Sequence, residues 1–358
     1  MCRAFEIGEI KMRLFLLVKS HFACIMALCA AGMASSAFAD GLTNANIAAE
    51  EYLKNRESIK SLFCRFQLSV GNSPSLDDAM QSRIKTSMVG QAIWAFDHKV
   101  HKFEMKCSKE DIIANSKYHN GGRIMTLSIA PEGMLTNGTY QLNYSPMMNN
   151  RGMIYQPKIR ADIPGIQPFG MGVMGANEEY NPAFGIRKWI EEKKEIECFI
   201  ENGERKELVV VLKDESGMPL MEYRFSVDHG YCLVGHTVFA RETGKRKFVI
   251  YIPEVIKVPT GQWMPKRSIL IGFPSEPSGK YSTRVIEVLE VASVDSKGKD
   301  VFSLELPDNH AINDNLNPNS TVRFEKAQKI FPDDLSVIAK KCSDAAKGLN
   351  RVVVEKSN

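Results

Sequence analysis

Apolar side chains recur at helical spacing near residue 50, and the chain then changes to an alternating pattern. Between Asn46 and Ser61, the residues Ala48, Tyr52 and Ile59 fall on one side of a helix. From Phe63 to Val70 the period of apolar residues becomes two, which is typical of a half-buried strand. The pattern therefore predicts one helix that leads directly into a strand.

Alternation with a period of two continues through most of the chain. Met221, Tyr223 and Phe225 share one side of a segment whose other side carries Glu222 and Arg224. One buried face and one wet face indicate an antiparallel sheet. We predict a loop over residues 71–80, and a hairpin turn rather than a glycosylation site at Asn137-Gly138-Thr139. The other predicted strands are Gly90 to Phe96, Val100 to Cys107, Ile124 to Ser128, Thr139 to Tyr144, Leu208 to Leu212, Val234 to Ala240, Phe248 to Ile252, Ser268 to Phe273, Val285 to Val294 and Phe302 to Leu306.

Two segments interrupt the alternation. Residues 145–185 are rich in Gly, Pro, Asn and Met and show little periodicity. A long stretch without secondary structure inside a compact domain is usually functional or mobile, so we predict an irregular insertion there. A short helix is expected from Phe184 to Lys193, and a C-terminal helix begins after Pro332 and ends at Gly348.

The N-terminal residues resemble a secretory signal. Arg13 and Lys19 precede an apolar stretch from Phe22 to Met33, and Ala37-Phe38-Ala39 is followed by Asp40. This is the order of charge, apolar core and small-residue site that a signal peptidase recognises. The apolar stretch is shorter than the ~20 residues of a membrane span. We therefore expect residues 1–39 to be a cleaved signal peptide and the mature protein to be periplasmic or secreted, without a transmembrane anchor.

The charge of the mature chain argues against a nucleic-acid partner. The whole chain carries a net charge of +4, and removing four Lys/Arg and two Asp/Glu with residues 1–39 lowers it to +2. Such a chain lacks the basic patches that bind phosphate backbones. The mature part holds an odd number of cysteines, which predicts at most two disulfides and at least one free thiol. These cysteines are Cys64, Cys107, Cys198, Cys232 and Cys342.

Catalytic and metal-binding motifs give little support for an enzyme. The run from Gly170 to Gly175 matches G-x-G-x-x-G but lacks the strand before it and the helix after it that hold a pyrophosphate. His98 and His101 would converge on a metal only around a tight turn. The methionines of the insertion would bind copper(I), form a flexible apolar lip, or simply pack in a loop. We expect no catalytic residue, no resident metal and no cofactor. The lip, which includes Met171 and Met174, is favoured over copper(I) binding, and simple packing of the loop stays open.

Three short motifs resemble the LolA/LolB-like group of periplasmic lipoprotein carriers. They are the segment Ile59-Lys60-Ser61-Leu62-Phe63-Cys64-Arg65-Phe66-Gln67, the hairpin from Gly90 to Glu104, and Phe302-Ser303-Leu304-Glu305-Leu306-Pro307. The resemblance implies a mainly β (α+β) fold, in which an incomplete antiparallel β-barrel curves around an N-terminal helix and encloses an apolar cavity for acyl chains. The insertion and the C-terminal helix depart from the family pattern, and no residue here matches the family's lid-closing arginine.

The resemblance divides the mature chain and suggests a function. Residues 40–315 would form the LolA-like β domain with the insertion 145–185, and residues 316–358 a C-terminal helical extension. The expected ligand is a lipid or a lipoprotein acyl chain. Two alternatives stay open, namely an envelope sensor or scaffold domain without a small ligand, and a hydrolase whose site is assembled from distant residues. The expected cavity-lining residues are Trp94, Phe96, Phe103, Met105, Met171, Met174, Tyr223, Phe225 and Trp263.

Overall fold

The computed structural model describes residues 42–107, 133–145, 150–156, 181–274, 279–315, 321–347 and 352–355. Within these ranges the chain forms a sheet of sixteen strands, a small two-stranded sheet and four α-helices. The predicted fold class, a mainly β chain with an open sheet, an N-terminal helix and a C-terminal helix, is confirmed. The predicted signal peptide 1–39, the predicted strand Ile124 to Ser128, and Met171 and Met174 lie outside the described residues.

The helices begin and end near their predicted positions, with one addition. Helix α1 spans residues 42–57, α3 spans Pro182–Glu191 and α4 spans Asp334–Lys347. The Asn181 side chain accepts a hydrogen bond from the Ala183 N–H and caps α3. Residues 71–80 are not the predicted loop, because β1 continues to Ser73 and α2 spans Leu76–Met80 behind a Ser75 cap. In these ranges no helix is both long and apolar enough to cross a membrane.

The first six strands follow one another as antiparallel neighbours. The Asn137-Gly138 pair makes the predicted turn between β4 and β5, with Gly138 at a φ of 84°. In this left-handed region glycine carries no steric penalty. The strands are β1 Ser61–Ser73, β2 Lys85–Asp97, β3 Val100–Cys107, β4 Gly133–Thr136, β5 Gln141–Ser145 and β6 Arg151–Tyr155.

A second series of seven consecutive antiparallel strands completes most of the sheet. Its last strand, β13, pairs with β1, so β1 lies between the two series. Bulges interrupt the ladders of β10 and β11, and bulges bend a strand and increase its twist. The strands are β7 Ile196–Asn202, β8 Lys206–Lys213, β9 Pro219–Ser226, β10 Cys232–Phe239, β11 Arg246–Lys257, β12 Trp263–Gly272 and β13 Tyr281–Ala292.

The last part of the chain adds strands as well as a helix. β15, His310–Asp314, pairs in parallel with β6, and β16, Thr321–Phe324, pairs in parallel with β18, Val352–Glu355. β14, Leu304–Leu306, pairs with β17, Gln328–Ile330, in the small sheet. The predicted strand from Phe302 starts later, because Lys299–Phe302 is a 3₁₀ helix. The large sheet ends at β18 and β7, which do not pair with each other in the described ranges, so it is open.

Each face of the large sheet carries its own apolar clusters. We call the face that carries Phe66 and Tyr223 the inner face and the opposite one the outer face. Helix α1 packs on the inner face of β8–β10 through Ala48, Tyr52 and Leu53. Asn55 fixes this helix to β12, since its Nδ2 donates to the Trp263 carbonyl at 3.0 Å and the Trp263 N–H donates to its Oδ1 at 3.3 Å.

The C-terminal helix lies on the other side of the sheet from α1. Leu335, Ile338 and Cys342 of α4 pack against Leu135 and Leu142. Leu135 follows Met134, which belongs to the inner-face cluster, and successive strand residues point to opposite faces. Helix α2 also covers the outer face, at β12 and β13. The two terminal helices therefore cover opposite faces of one sheet.

Candidate functional site

Four of the predicted cavity-lining residues form a filled core. Trp94, Phe96, Phe103 and Met105 are 0–7% exposed and belong to one cluster on the inner face of β1–β4, β12 and β13. The ring centroids of Trp94 and Phe96 are 4.8 Å apart, and Phe103 lies 6.4 Å from Phe66. In this conformation these side chains contact each other and leave almost no surface for a ligand.

Tyr223 and Phe225 lie in a second cluster, beneath α1 and α3. Phe225 contacts Tyr52 with a centroid separation of 5.7 Å. A Cβ at Gly185 of α3 would come within 3.2 Å of the Tyr223 hydroxyl, so the absence of a side chain there lets the helix approach the ring. Trp263 is half-buried elsewhere and meets His229 edge-on at 4.5 Å. The predicted cavity-lining residues that the structure describes therefore do not line one cavity. They lie in two apolar clusters and at Trp263.

A half-exposed apolar strip crosses the inner face between these clusters. Val70 of β1 and Leu270 of β12 lie beside Arg284 of β13, one on each side, in the ladder register. Phe248 of β11 and Val238 of β10 are register partners. They lie two residues further along the strands than the row that contains Val70, Arg284 and Leu270. All five side chains are half-buried. We call these five residues the inner strip.

The inner strip was not predicted from the sequence. Its apolar members belong to or adjoin predicted strands, so alternation indicated that they share faces with core residues. The sequence did not indicate that β12 neighbours β13 and β11, or that β13 neighbours β1. Strand order determines which side chains meet, and one sequence contains no direct signal for it.

His236 marks the boundary between the inner strip and the cluster under α1. Its ring stacks on Tyr223 at a centroid distance of 4.7 Å and meets Phe248 edge-on at 5.8 Å. The residue is 4% exposed, and its Nε2 has no hydrogen-bond partner within the described ranges. Burial lowers the pKa of His236 to about 3, so the imidazole is neutral at physiological pH.

A charged cleft of about 750 Å³ opens beside β7–β12 and α2. Nine of its lining residues are Glu, Arg or Lys. Arg224 contacts Glu201 at 2.6 Å, Glu222 at 2.7 Å and Glu207 at 3.3 Å. Burial opposes the charge of Arg224, but the hydrogen bonds to Glu201 and Glu222 raise its pKa overall. A hydrocarbon chain in this cleft would desolvate ion pairs, which is unfavourable. The inner strip is therefore the better apolar site.

Gly235 makes room for the arginine of this cleft. Its register partner on β9 is Arg224, and a Cβ at Gly235 would lie 3.0 Å from the Arg224 Cδ. The arginine stem therefore crosses directly over the β10 backbone, and the guanidinium is held among its three carboxylates.

The described residues contain no group of three His, Cys, Asp or Glu side chains placed to hold a metal ion. His98 is exposed in the turn between β2 and β3, with a φ of 53°. His101 stacks on Phe96 at 5.7 Å, and burial lowers its pKa to about 4. Met153 is half-buried in β6, whereas the other methionines of the predicted copper site or lip lie outside the described ranges.

No protein-family model matches the chain, and no curated protein matches it. The solved structures that are similar in fold include the following three. A DUF1329 family protein from Desulfovibrio piger is 8% identical, with 71% of this chain and 95% of that chain covered and a TM-score of 0.36. A putative outer membrane lipoprotein-sorting protein domain from Vibrio parahaemolyticus is 9% identical, with 71% and 99% covered and a TM-score of 0.33.

A LolA superfamily protein from Nitrosomonas europaea is 10% identical, with 68% of this chain and 93% of that chain covered and a TM-score of 0.34. The group that the sequence resembles is thus represented among the solved structures similar to this chain. At such low identities and TM-scores, the functions named for these proteins do not transfer to it. The function has to be argued from the residues of this chain.

Proposed function

We propose that this chain is an exported envelope protein that binds an apolar ligand such as a lipid or a lipoprotein acyl chain. The observation that carries the proposal is the inner strip, where half-exposed Val70, Leu270 and Phe248 continue a buried apolar core to the surface. Val70 and Leu270 pack against that core with one side and leave the other side accessible. A hydrocarbon chain laid along the strip would extend the core.

The energy available to such a ligand is adequate for specific binding. Each methylene removed from water contributes about 0.8 kcal/mol. The strip runs across five neighbouring strands, from β1 to β10, which separates its ends by about 19 Å at the usual strand spacing. Several methylenes of one chain would therefore contact the strip at once.

Binding of the uncharged fluorescent probe N-phenyl-1-naphthylamine tests this proposal. We expect saturable binding to the mature protein, weakened by roughly tenfold or more in Leu270→Glu, because the carboxylate must be desolvated beneath the probe. Leu289→Glu is the matched control, since Leu289 is already 46% exposed on the neighbouring strand β13. No saturable binding, or equal loss in both variants, would contradict the proposal.

Export is tested independently of ligand binding. We expect the mature N-terminus to be Asp40, because the charged, apolar and A-x-A segments follow one another in the order that signal peptidase needs. N-terminal sequencing of the protein from an envelope fraction gives the answer directly. A chain that starts at Met1 or Met12 would contradict export by a cleaved signal.

One observation favours a second candidate, an envelope sensor or scaffold domain without a small ligand. The predicted lining residues Trp94, Phe103 and Met105 are packed as a filled core. In that case the inner strip would be ordinary protein surface. The same probe titration separates the candidates, because a scaffold would fold and unfold normally and bind no apolar probe.

A further inference from the structure

A single arginine interrupts the apolar strip. Arg284 shares the inner face with its register partners Val70 and Leu270, because residues directly opposite in a ladder point to the same side. The next residue toward the core on its own strand is Ile286, which belongs to the buried inner-face cluster. The aliphatic part of the Arg284 side chain therefore has apolar neighbours on three sides, namely Val70, Leu270 and Ile286.

The described residues place no partner beside the charge of Arg284. Within the part of the chain that the structure describes, its side chain makes no ion pair, hydrogen bond or ring contact. The neighbouring inner-face positions of β1, β12 and β13 are neutral, namely Leu68, Asn72, Ser268, Gly272, Ser282 and Ile286. Burial lowers the pKa of Arg284, and no acidic group offsets this effect. A half-buried cation without a counter-charge is unfavourable unless something else supplies one.

Two polar side chains lie beyond this arginine, toward the strand ends. Asn72 and Ser282 are register partners at the strand ends, and neither side chain has a hydrogen-bond partner in the described ranges. A Cβ at Gly272 would lie 2.3 Å from the Ser282 Oγ, so the glycine leaves space for this hydroxyl. The arrangement thus has a polar end near solvent and an apolar side formed by Leu270, Phe248 and Val238.

We propose that Arg284, together with Asn72 and Ser282, binds the anionic head group of an amphiphile whose hydrocarbon chain lies on the inner strip. This inference rests on the proposed function and specifies its ligand class. A guanidinium binds carboxylate and phosphate oxygens with paired donors. The head group is therefore a carboxylate or a phosphate monoester, and an ester or alcohol of the same chain length binds less well.

Displacement of N-phenyl-1-naphthylamine by three ligands of one chain length tests the inference. Palmitate carries a carboxylate, hexadecyl phosphate a phosphate and hexadecanol no charge. We expect the wild type to prefer one or both anions over hexadecanol by about tenfold to a hundredfold, the usual strength of a charge-assisted hydrogen bond. The two anionic arms distinguish a fatty acid from a lipid that ends in a phosphate monoester.

The decisive variants are Arg284→Met and Arg284→Lys. Arg284→Met keeps a long apolar side chain without the charge, so it should lower the affinity for the two anions by about tenfold to a hundredfold and erase their preference over hexadecanol. Arg284→Lys should retain part of the preference, because the charge remains but the paired donors are lost. Arg323→Met is the control, since Arg323 is an exposed strand arginine on β16. Urea unfolding should show that neither Arg284 variant is less stable than the wild type, because Arg284 has no ion pair or hydrogen bond to lose within the described ranges.

The outcomes separate the inference from the proposed function. If the wild type binds all three ligands equally, or if the preference survives in Arg284→Met, the head-group assignment is wrong while apolar binding stands. If the wild type binds neither the probe nor any of the three ligands, the proposed function fails, and the inference fails with it. A preference that disappears in Arg284→Met but persists in Arg323→Met supports both.

Discussion

One row of side chains crosses the inner face, and its members change from half-buried to buried halfway along the row. Arg284 and Leu270 are half-buried, whereas Ile250, His236 and Tyr223 further along the row are 2–4% exposed. The register places all five on one side of the sheet. The same sheet therefore carries a covered part, beneath α1 and α3, and the adjoining inner strip.

The difference follows from what packs on each part. Over β8–β10, helices α1 and α3 cover the apolar inner face with Ala48, Tyr52, Leu53 and Ile186. At the inner strip the apolar side chains are only half-buried, and a charged residue lies among them. A half-exposed apolar surface that holds a cation without a counter-charge among the described residues is suited to a ligand, while the covered part serves stability.

Truncating one phenylalanine in each part gives the largest contrast. Phe225 is 0% exposed under α1, so Phe225→Ala should lower the free energy of unfolding by about 3–5 kcal/mol. Phe248 is half-buried in the inner strip, so Phe248→Ala should lower it by only about 1–2 kcal/mol. Urea unfolding measures both. Equal losses would mean that the strip is core rather than a binding surface.

Affinity for N-phenyl-1-naphthylamine should follow the reverse order in the same two variants. Phe248→Ala removes a side chain from the ligand surface, whereas Phe225→Ala leaves that surface in place if the protein still folds. Binding is therefore measured at a urea-free condition where both variants are shown to be folded. A Phe248→Ala protein with wild-type affinity would remove Phe248 from the proposed site.

The boundary residue His236 should give the next largest effect, as a dependence on pH. Burial lowers its pKa from 6.5 to about 3, so the unfolded chain takes up a proton before the folded one does. The contribution of the neutral His236 ring to the free energy of unfolding is therefore fully present above pH 6.5 and is lost as the pH falls toward 3. The expected slope is about 1.4 kcal/mol per pH unit in this window.

His236→Phe removes this titration while it keeps an aromatic ring beside Tyr223. Unfolding free energies at several pH values between 4 and 6.5 should fall less steeply in His236→Phe than in the wild type. His101 and His310 also have lowered pKa values through burial, but they are present in both proteins. Parallel curves would show that His236 is hydrated, and hence that the covered part does not extend to it.

A smaller loss is expected where α1 is fixed to the sheet. Asn55→Ala removes both hydrogen bonds to the Trp263 backbone, which should cost about 1–3 kcal/mol of unfolding free energy. Asn46→Ala is the control, because the Asn46 amide bonds only to exposed Glu50 on the same helix. If the two variants are equally stable, the Asn55 contacts do not hold the helix in place.

The smallest effect concerns thiol reactivity. Burial raises the pKa of Cys232 and of Cys342 to about 12 and that of Cys198 to about 11. Native alkylation at pH 8 should therefore be slow, with Cys198 on the edge strand β7 reacting first. Cys64, Cys198, Cys232 and Cys342 are all free, so denatured, non-reduced protein should label at least these four. Mass spectrometry that finds fewer labels would reveal a disulfide.

The sequence predicted local structure well and spatial neighbours poorly. The period of Ala48 and Tyr52 indicated α1, and the Asn137-Gly138 pair indicated a hairpin, because both signals lie within a few residues. Helix α2 was missed because five residues are too few to show a helical period. The chain order gave no indication that Arg284 lies between Val70 and Leu270, since that contact depends on β1 joining the two series of strands.

The predicted site shows the same limit. Alternation correctly assigned Trp94, Phe103 and Tyr223 to buried faces, but burial does not distinguish a filled core from a cavity lining. That distinction depends on which helix covers which strands. The lining role of these residues, and that of Met171 and Met174, stays a prediction.

Organic extraction of protein purified from the cells that produce it, followed by mass spectrometry, tests apolar ligand binding most directly. The account predicts a co-purifying acidic lipid with a single anionic head group, present at a near-stoichiometric level in the wild type. It predicts strong depletion of that lipid in Leu270→Glu and a normal level in Leu289→Glu. Wild-type protein that carries no lipid above the level in Leu270→Glu would contradict the account.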